Sequence, residues 1–328
     1  MDNLTHTATG LFLSRAGLDR QVPHAAWILV LAANAPDIDA AAIAGGAIHY
    51  LTCHRGATHA LPLLPLMALL PVLLVRLVSR RPLPWKRAYL ISLIGVASHL
   101  ALDLTNMYGV RLLAPFTGRW FQLDIFHVVD LWIWAVIAAA LGGPLLAKLV
   151  NAEIGARRRP PSRGIAVFAL GFLALYAAGR GVLRERAVAV LEARLYGGAE
   201  PLRVAAQPGF ANPLSWRGLV ETEEFYSVHR INLLGEFDPE RGRRFYKLPP
   251  DPAIDAARRA YTIRQYLRFA QFPLWRVSPA ADPPGTRVDV FDMRFGTPLE
   301  PGFMATVILD ARGSPVKESF AFRPSPAP

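Results

Sequence analysis

"RAYLISLIGVASHLALDLTNMYG", residues 87–109, decides how this chain is read. It begins as an apolar run of the kind that crosses a membrane as a helix, yet it carries His99 and Asp103. On insertion scales an Asp at mid-bilayer costs about 2.5–3.5 kcal/mol, and less near the span ends, so the two groups need a compensating interaction. A four-residue step returns to nearly the same angle around a helix, which puts both side chains on one face. There they can grip a single object. A hydrogen bond between them is the plainer use of the same spacing.

Working outward, four segments read as spans of about 20 residues. They are "LPLLPLMALLPVLLVRLV" (61–78), "RAYLISLIGVASHLAL" (87–102), "VVDLWIWAVIAAALGGPLLAKLV" (128–150) and "GIAVFALGFLALYAAGRGVL" (164–183). Pro62, Pro65 and Pro71 are expected to kink the first. Ahead of them, "LTHTATGLFLSRAGL" and "AAWILVLAANAP" read as a helical hairpin at or across the membrane.

Composition agrees: 52% of the 328 residues are hydrophobic and the mean hydropathy is +0.26. Residues 1–183 hold 16 Lys+Arg against 8 Asp+Glu, whereas 184–328 hold 20 against 17. The excess positive charge therefore lies where it can orient spans. One connection carries Arg80, Arg81, Lys86 and Arg87, and another Lys148, Arg157, Arg158, Arg159 and Arg163, so both are expected in the cytoplasm. Segment 36–60, loop 103–125 and everything after 184 are then expected outside. The basic residues form no single aromatic-laced patch, which argues against a nucleic-acid partner. Cys53 is the only cysteine, which excludes a disulfide framework and a cysteine metal cage. The start "MDNLTHTATG" is acidic and reads as no signal peptide, so export is expected to use the internal spans.

Seven of the eight histidines precede residue 128. In this topology His6, His49, His54, His59, His99 and His127 fall on or near the outer face with Asp37, Asp39, Asp103, Asp124 and Asp130, while His24 faces the cytoplasm. Without cysteine, His and Asp are the ligand types for zinc or another divalent hydrolytic metal, with manganese a second choice. Ligation offsets the cost of burying them. "HRGATH" spans five residues from His54 to His59, does not align on a helix, and implies a Gly-containing turn. In "PDID", Asp37 and Asp39 can ligate, or Asp37 can cap a helix. At least one of Asp124, His127 and Asp130 is expected to support the site, whereas His49 and His24 read as ordinary interfacial histidines.

"DNLTHTATG", "APDID", "HRGATH" and "SHLALDLTNMYGVRLLAPF" occur in that order. Together they resemble the YdjM/YbcI-type family of bacterial inner-membrane proteins, grouped as metal-dependent hydrolases. The resemblance covers about residues 1–130. It implies a helical membrane domain in which His6, Asp37, His54, His59, His99 and Asp103 are the matching metal positions, with an acidic position near Asp130; His127 lies outside the pattern. The helical layout and the H-x-x-x-D spacing are also similar to zinc-dependent phospholipase C and related zinc nucleases, a likeness of fold that fixes no substrate.

The tail alternates in "WRGLVETEEFYSVHRINLLGEF", "TRVDVFDMRFG", "FMATVILDA" and "VKESFAFR", which predicts antiparallel strands. "DPAIDAARRAYTIRQYLRFAQF" predicts one amphipathic helix starting at Asp251-Pro252, "QPGFANPLSWRG" and "SPAADPPGTR" read as loops or linkers, and His229 as a surface residue.

The expected architecture is a mainly α-helical polytopic membrane domain over residues 1–183, followed by a small extracytoplasmic α+β domain over 184–328. The expected function is a membrane-embedded, metal-dependent hydrolase of the bacterial inner membrane. Its site would lie at the extracytoplasmic interface and act on a phosphoester or lipid ester through metal-activated water. Asp39 or Asp130 is expected to accept the proton. Membrane lipids and a small-molecule or lipid substrate are the expected partners. The rival readings are a transporter or metal-handling channel, because intramembrane His and Asp also mark ion pathways, and a non-catalytic scaffold with a structural metal.

Overall fold

The computed structural model describes residues 1–79, 82–154 and 162–323. Arg80, Arg81, Arg157, Arg158 and Arg159, on which much of the expected orientation rests, lie outside the described residues. The chain forms two compact units. One comprises Met1–Ile38, Arg55–Arg184 and Pro208–Leu214; the other comprises Asp39–His54, Glu185–Gln207 and the residues from Ser215 on.

The helical unit is arranged around one helix. Its elements are α1 (Asn3–Arg15), α2 (Ala25–Ala32), α4 (Leu64–Val78), α5 (Trp85–Leu104), α6 (Leu131–Glu153) and α7 (Ser162–Glu192), the last of which belongs to this unit through Arg184. α3 (Ala47–Cys53) belongs to the other unit. On α5, Ala88, Ile91, Ser92, Gly95, Val96, His99, Leu100, Leu102 and Asp103 are buried. That recurrence at three and four residues is a continuous stripe, and α1, α2 and α4 pack against the helix. Small residues permit the close approach. A Cβ at Gly95 would stand 2.6 Å from the Ala32 Cβ, and one at Gly10 would stand 2.6 Å from the Leu29 carbonyl oxygen. The hydroxyls of Ser92 and Tyr89 donate to the Ala68 and Pro65 carbonyls, tying α5 to α4. α6 and α7 share a core with α1, in which Phe12, Ile133, Ile137, Ala140, Ala166 and Ala169 meet.

Among the described residues, four helical stretches are long and apolar enough to cross a membrane: Leu61–Val78, Trp85–Leu104, Leu131–Glu153 and Ser162–Glu192. A fifth is possible if Ala25–Ala32 and Ala35–Gly45, bent by 43°, form one span. Outward side chains on these helices are apolar and bare, with Leu77 83% and Leu175 77% exposed. Water disfavours such surface and hydrocarbon does not.

The second unit contains two four-stranded antiparallel sheets. The first has the order β1-β2-β3-β4, formed by β1 (Arg203–Pro208), β2 (Ser215–Glu221), β3 (Phe225–Asn232) and β4 (Arg243–Tyr246). The second has the order β10-β9-β6-β5, formed by β5 (Pro273–Ala281), β6 (Pro284–Asp292), β9 (Phe303–Leu309) and β10 (Pro315–Phe322). A short ribbon, β7 (Gly296–Thr297) with β8 (Glu300–Pro301), lies between β6 and β9 in sequence.

Three local expectations change here. "SPAADPPGTR" is no linker but the end of a tight hairpin, because β5 pairs with β6 as far as Ala281 opposite Pro284. The single amphipathic helix is two, α8 (Pro252–Ala257) and α9 (Tyr261–Leu267). Asp251 caps the first, and the Glu318 carboxylate from β10 accepts the Tyr261 and Thr262 amides at the start of the second. That capping is supplied by a residue remote in sequence, so helical periodicity could not reveal the break. His229 is buried at 5% exposure, its ring 2.8 Å from the Ser227 hydroxyl.

Candidate metal centre

α5 delivers two side chains to one point because His99 and Asp103 stand one turn apart on its buried stripe. The His99 Nδ1 lies 2.7 Å from the Ala33 carbonyl oxygen at the end of α2. A carbonyl only accepts, so the proton is assigned to Nδ1, leaving the Nε2 lone pair to face inward. This second hydrogen bond is the usual device for aiming an imidazole at a metal.

The "HRGATH" turn brings in the next ligand. α3 ends at Cys53, the chain turns through His54, Arg55 and Gly56, and a short 3-10 helix, Ala57–His59, places His59 fully buried. The Gly-containing turn expected between the two histidines is present. The His59 Nε2 is 3.1 Å from the His99 Nε2 and 3.3 Å from the Asp103 Oδ2, while its Nδ1 meets the Thr58 hydroxyl at 3.0 Å. Asp37, at the start of the 3-10 segment Ala35–Gly45, adds an oxygen 3.4 Å from the His59 Nε2 and 3.6 Å from the His99 Nε2. Asp37, His59, His99 and Asp103 can each offer one ligand atom with all four within 4.8 Å of one another.

His6 lies beside this set. Its ring stacks on His99 with centroids 3.8 Å apart, and its Nε2 is 3.3 Å from the Asp103 Oδ1. The Met1 amino group and Arg55 engage the same Oδ1.

The donor set fits a divalent metal. Two imidazoles and two carboxylates are the ligand types expected for zinc or manganese. Among the described residues, both ring nitrogens of His6 and the Asp103 Oδ2 are buried without a hydrogen-bond partner, which is costly unless something else occupies them.

The other expected residues are not among these four. Asp39 and His54 pair in the second unit, Oδ1 to Nδ1 at 2.7 Å, with Tyr50 stacked on the imidazole at 4.6 Å. Asp130 is the N-cap of α6: its Oδ1 accepts the Trp132 and Ile133 amides, and its Oδ2 accepts the Tyr176 hydroxyl. Asp124 lies 3.9 Å from Arg184, and His127 stands edge-on to Phe210, its pKa pushed down by burial. Neither joins the four-residue group.

Sequence reading passed over Arg55, Asn106 and the Ala33 carbonyl. Arg55 and Asn106 sit inside the quoted motifs, between ligand positions, and that placement was the available signal. A backbone carbonyl carries none.

Over residues 1–187 the chain matches the family described as YdjM inner membrane protein. It belongs to that family. The membrane reading of its apolar helices follows from this membership together with their length and composition. The chain is also similar to the uncharacterized protein YfhP of Bacillus subtilis (strain 168), at 29% identity over 150 residues. That alignment covers 43% of this chain and 45% of the relative, less than half the length of either. No solved structure matches.

Proposed function

We propose that this YdjM-family protein is a multi-pass inner-membrane hydrolase that binds a divalent metal, zinc or manganese, and cleaves a phosphoester or lipid ester at the extracytoplasmic interface. One observation carries the reading: four ionisable side chains from three separate stretches of chain converge in the helical unit, and His59, His99 and Asp103 among them are fully buried. Buried groups of this kind are expensive to retain, so an ion is the simplest compensation. Such a metal, when bound, activates water and polarises a carbonyl or phosphoryl oxygen.

The chain's own residues would divide the remaining work. Asp37, His59, His99 and Asp103 would hold the ion, with His6 against them. Ala33 and Thr58 orient His99 and His59 through their second nitrogens. Asp130 is committed to capping α6, which counts against it as the proton acceptor.

The extracytoplasmic placement of the site and tail is inferred from the basic connections that include Lys86, Arg87 and Lys148. A reporter fused after residue 328 should read out on the outer side; a cytoplasmic readout would overturn the orientation. The function is tested with detergent-purified protein by metal analysis followed by an ester and phosphoester panel. Hydrolysis should stop with chelator, return with zinc or manganese, and vanish in His59→Ala. Metal flux into sealed vesicles without hydrolysis would favour transport and overturn the proposal.

A further inference from the structure

Arg55 stands in the middle of "HRGATH" and is 5% exposed, although nothing in a ligand motif requires a cation there. Its backbone is left-handed, with φ 56°, a conformation that costs a non-glycine residue about 1–2 kcal/mol. Such strain persists where the surroundings fix it. Here they do: the Arg55 carbonyl accepts the Arg111 amide at 3.0 Å, and the guanidinium is held at several points. Nη2 donates to the Asp103 Oδ1 at 3.0 Å, Nη1 donates to the Asn106 Oδ1 at 2.8 Å, and the Tyr108 ring lies 4.9 Å from Cζ. Asn106 is itself fixed, because its Oδ1 also accepts the Tyr108 amide at 2.9 Å.

The two oxygens of Asp103 therefore have different surroundings. Oδ1 faces Arg55, the Met1 amino group and His6, while Oδ2 faces the Nε2 atoms of His59 at 3.3 Å and His99 at 3.5 Å. A carboxylate oxygen that accepts from an always-charged guanidinium is drawn toward that cation, which turns the other oxygen toward an ion. We propose that Arg55 is a positioning residue of the metal centre: it holds Oδ1 of Asp103, with Asn106 as its anchor, so that Asp103 offers the ion Oδ2 alone. This inference rests on the metal reading above and assigns Arg55 no contact with substrate.

The test uses full-length protein in detergent and cobalt(II) as the probe, with affinity and the visible absorption band as readouts in the absence of any substrate. Arg55→Met should weaken cobalt binding about 10- to 100-fold, the range for residues that orient metal ligands. Its band should also lose intensity, because a freed carboxylate can supply both oxygens and raise the coordination number. Arg55→Lys keeps the charge without the fork and should give an intermediate shift. Asn106→Ala should give a smaller change of the same sign. If Arg55→Met folds and shows wild-type affinity and spectrum, the proposal is overturned. If it does not fold, Arg55→Lys decides, and an unchanged spectrum there overturns it. A purely structural Arg55 would lower the melting temperature and leave the band of the folded protein alone. A wild-type chain that binds no cobalt overturns the metal reading and this inference together, a result distinct from equal binding by wild type and variant.

Discussion

In the sheet unit Asp289 accepts Arg287 on both oxygens, Thr306 on Oδ1 and Arg276 on Oδ2, and Asp292 accepts the Arg294 amide on Oδ1 and the Arg294 guanidinium and Gln271 amide on Oδ2. In the helical unit the equally buried Asp103 has its Oδ1 engaged, whereas its Oδ2 is left among imidazoles with no hydrogen bond from the described residues. Both units bury carboxylates, and only the partners differ. Donors on both oxygens complete a carboxylate and make it structural, and arginine, always charged and only donating, is the chief donor there. Neutral imidazoles bring lone pairs of their own, so a group rich in them is incomplete until a cation arrives. Buried charge alone does not mark a site; unmatched lone pairs do.

The largest expected effect tests that distinction at the metal. His59→Ala and His99→Ala should each weaken metal binding at least about 100-fold, above the range for residues that only orient ligands, while the protein still inserts. Metal content by mass spectrometry, set beside membrane fractionation, checks this, and full occupancy in both variants would make the cluster merely structural. The converse change is in the sheet unit. Asp292→Ala leaves the 2% exposed Arg294 side chain without its carboxylate and should destabilise that unit by about 3–5 kcal/mol while metal content stays unchanged. Denaturant unfolding followed by hydrogen exchange at β6 measures it.

A smaller effect is expected at Gly242, where a Cβ would stand 2.0 Å from the His229 ring. Gly242→Ala should cost about 1–3 kcal/mol through overpacking, and a melting temperature equal to wild type would contradict the packing described. The smallest is a pH effect. Burial, with Arg244 nearby, pushes the His229 pKa down from 6.5 to about 4. Between those values the unfolded chain takes up a proton that the folded one refuses, so this contribution is present above pH 6.5 and is lost as pH falls toward 4. The loss should be about 1–2 kcal/mol and absent in His229→Gln, which unfolding curves at pH 7 and pH 4.5 can compare.

Glu221 adds to the same acid sensitivity. Burial alone would raise its pKa, but hydrogen bonds from Lys247 and Arg203 outweigh it and hold the carboxyl below its usual value.

The periodicity and apolar length of residues 61–78, 87–102, 128–150 and 164–183 were enough to place four long apolar helices, because a helix without water must satisfy its backbone internally and so declares itself over about 20 residues. Alternation likewise placed β6, β9 and β10. The ligand types and their order were also readable: H-x-x-x-D fixes a shared face on α5, and "HRGATH" requires a turn at Gly56. What the sequence could not contain is which polar groups meet across the fold. The break between α8 and α9 depends on Glu318, the tautomer of His99 on the Ala33 carbonyl, and the two-sided environment of Asp103 on Arg55 and Asn106. The commitment of Asp130 to a cap, the pairing of Asp39 with His54 and the burial of His229 belong with these. Hydrogen bonds and burial join residues far apart in the chain, and no local pattern encodes a partner that only packing brings within 3 Å.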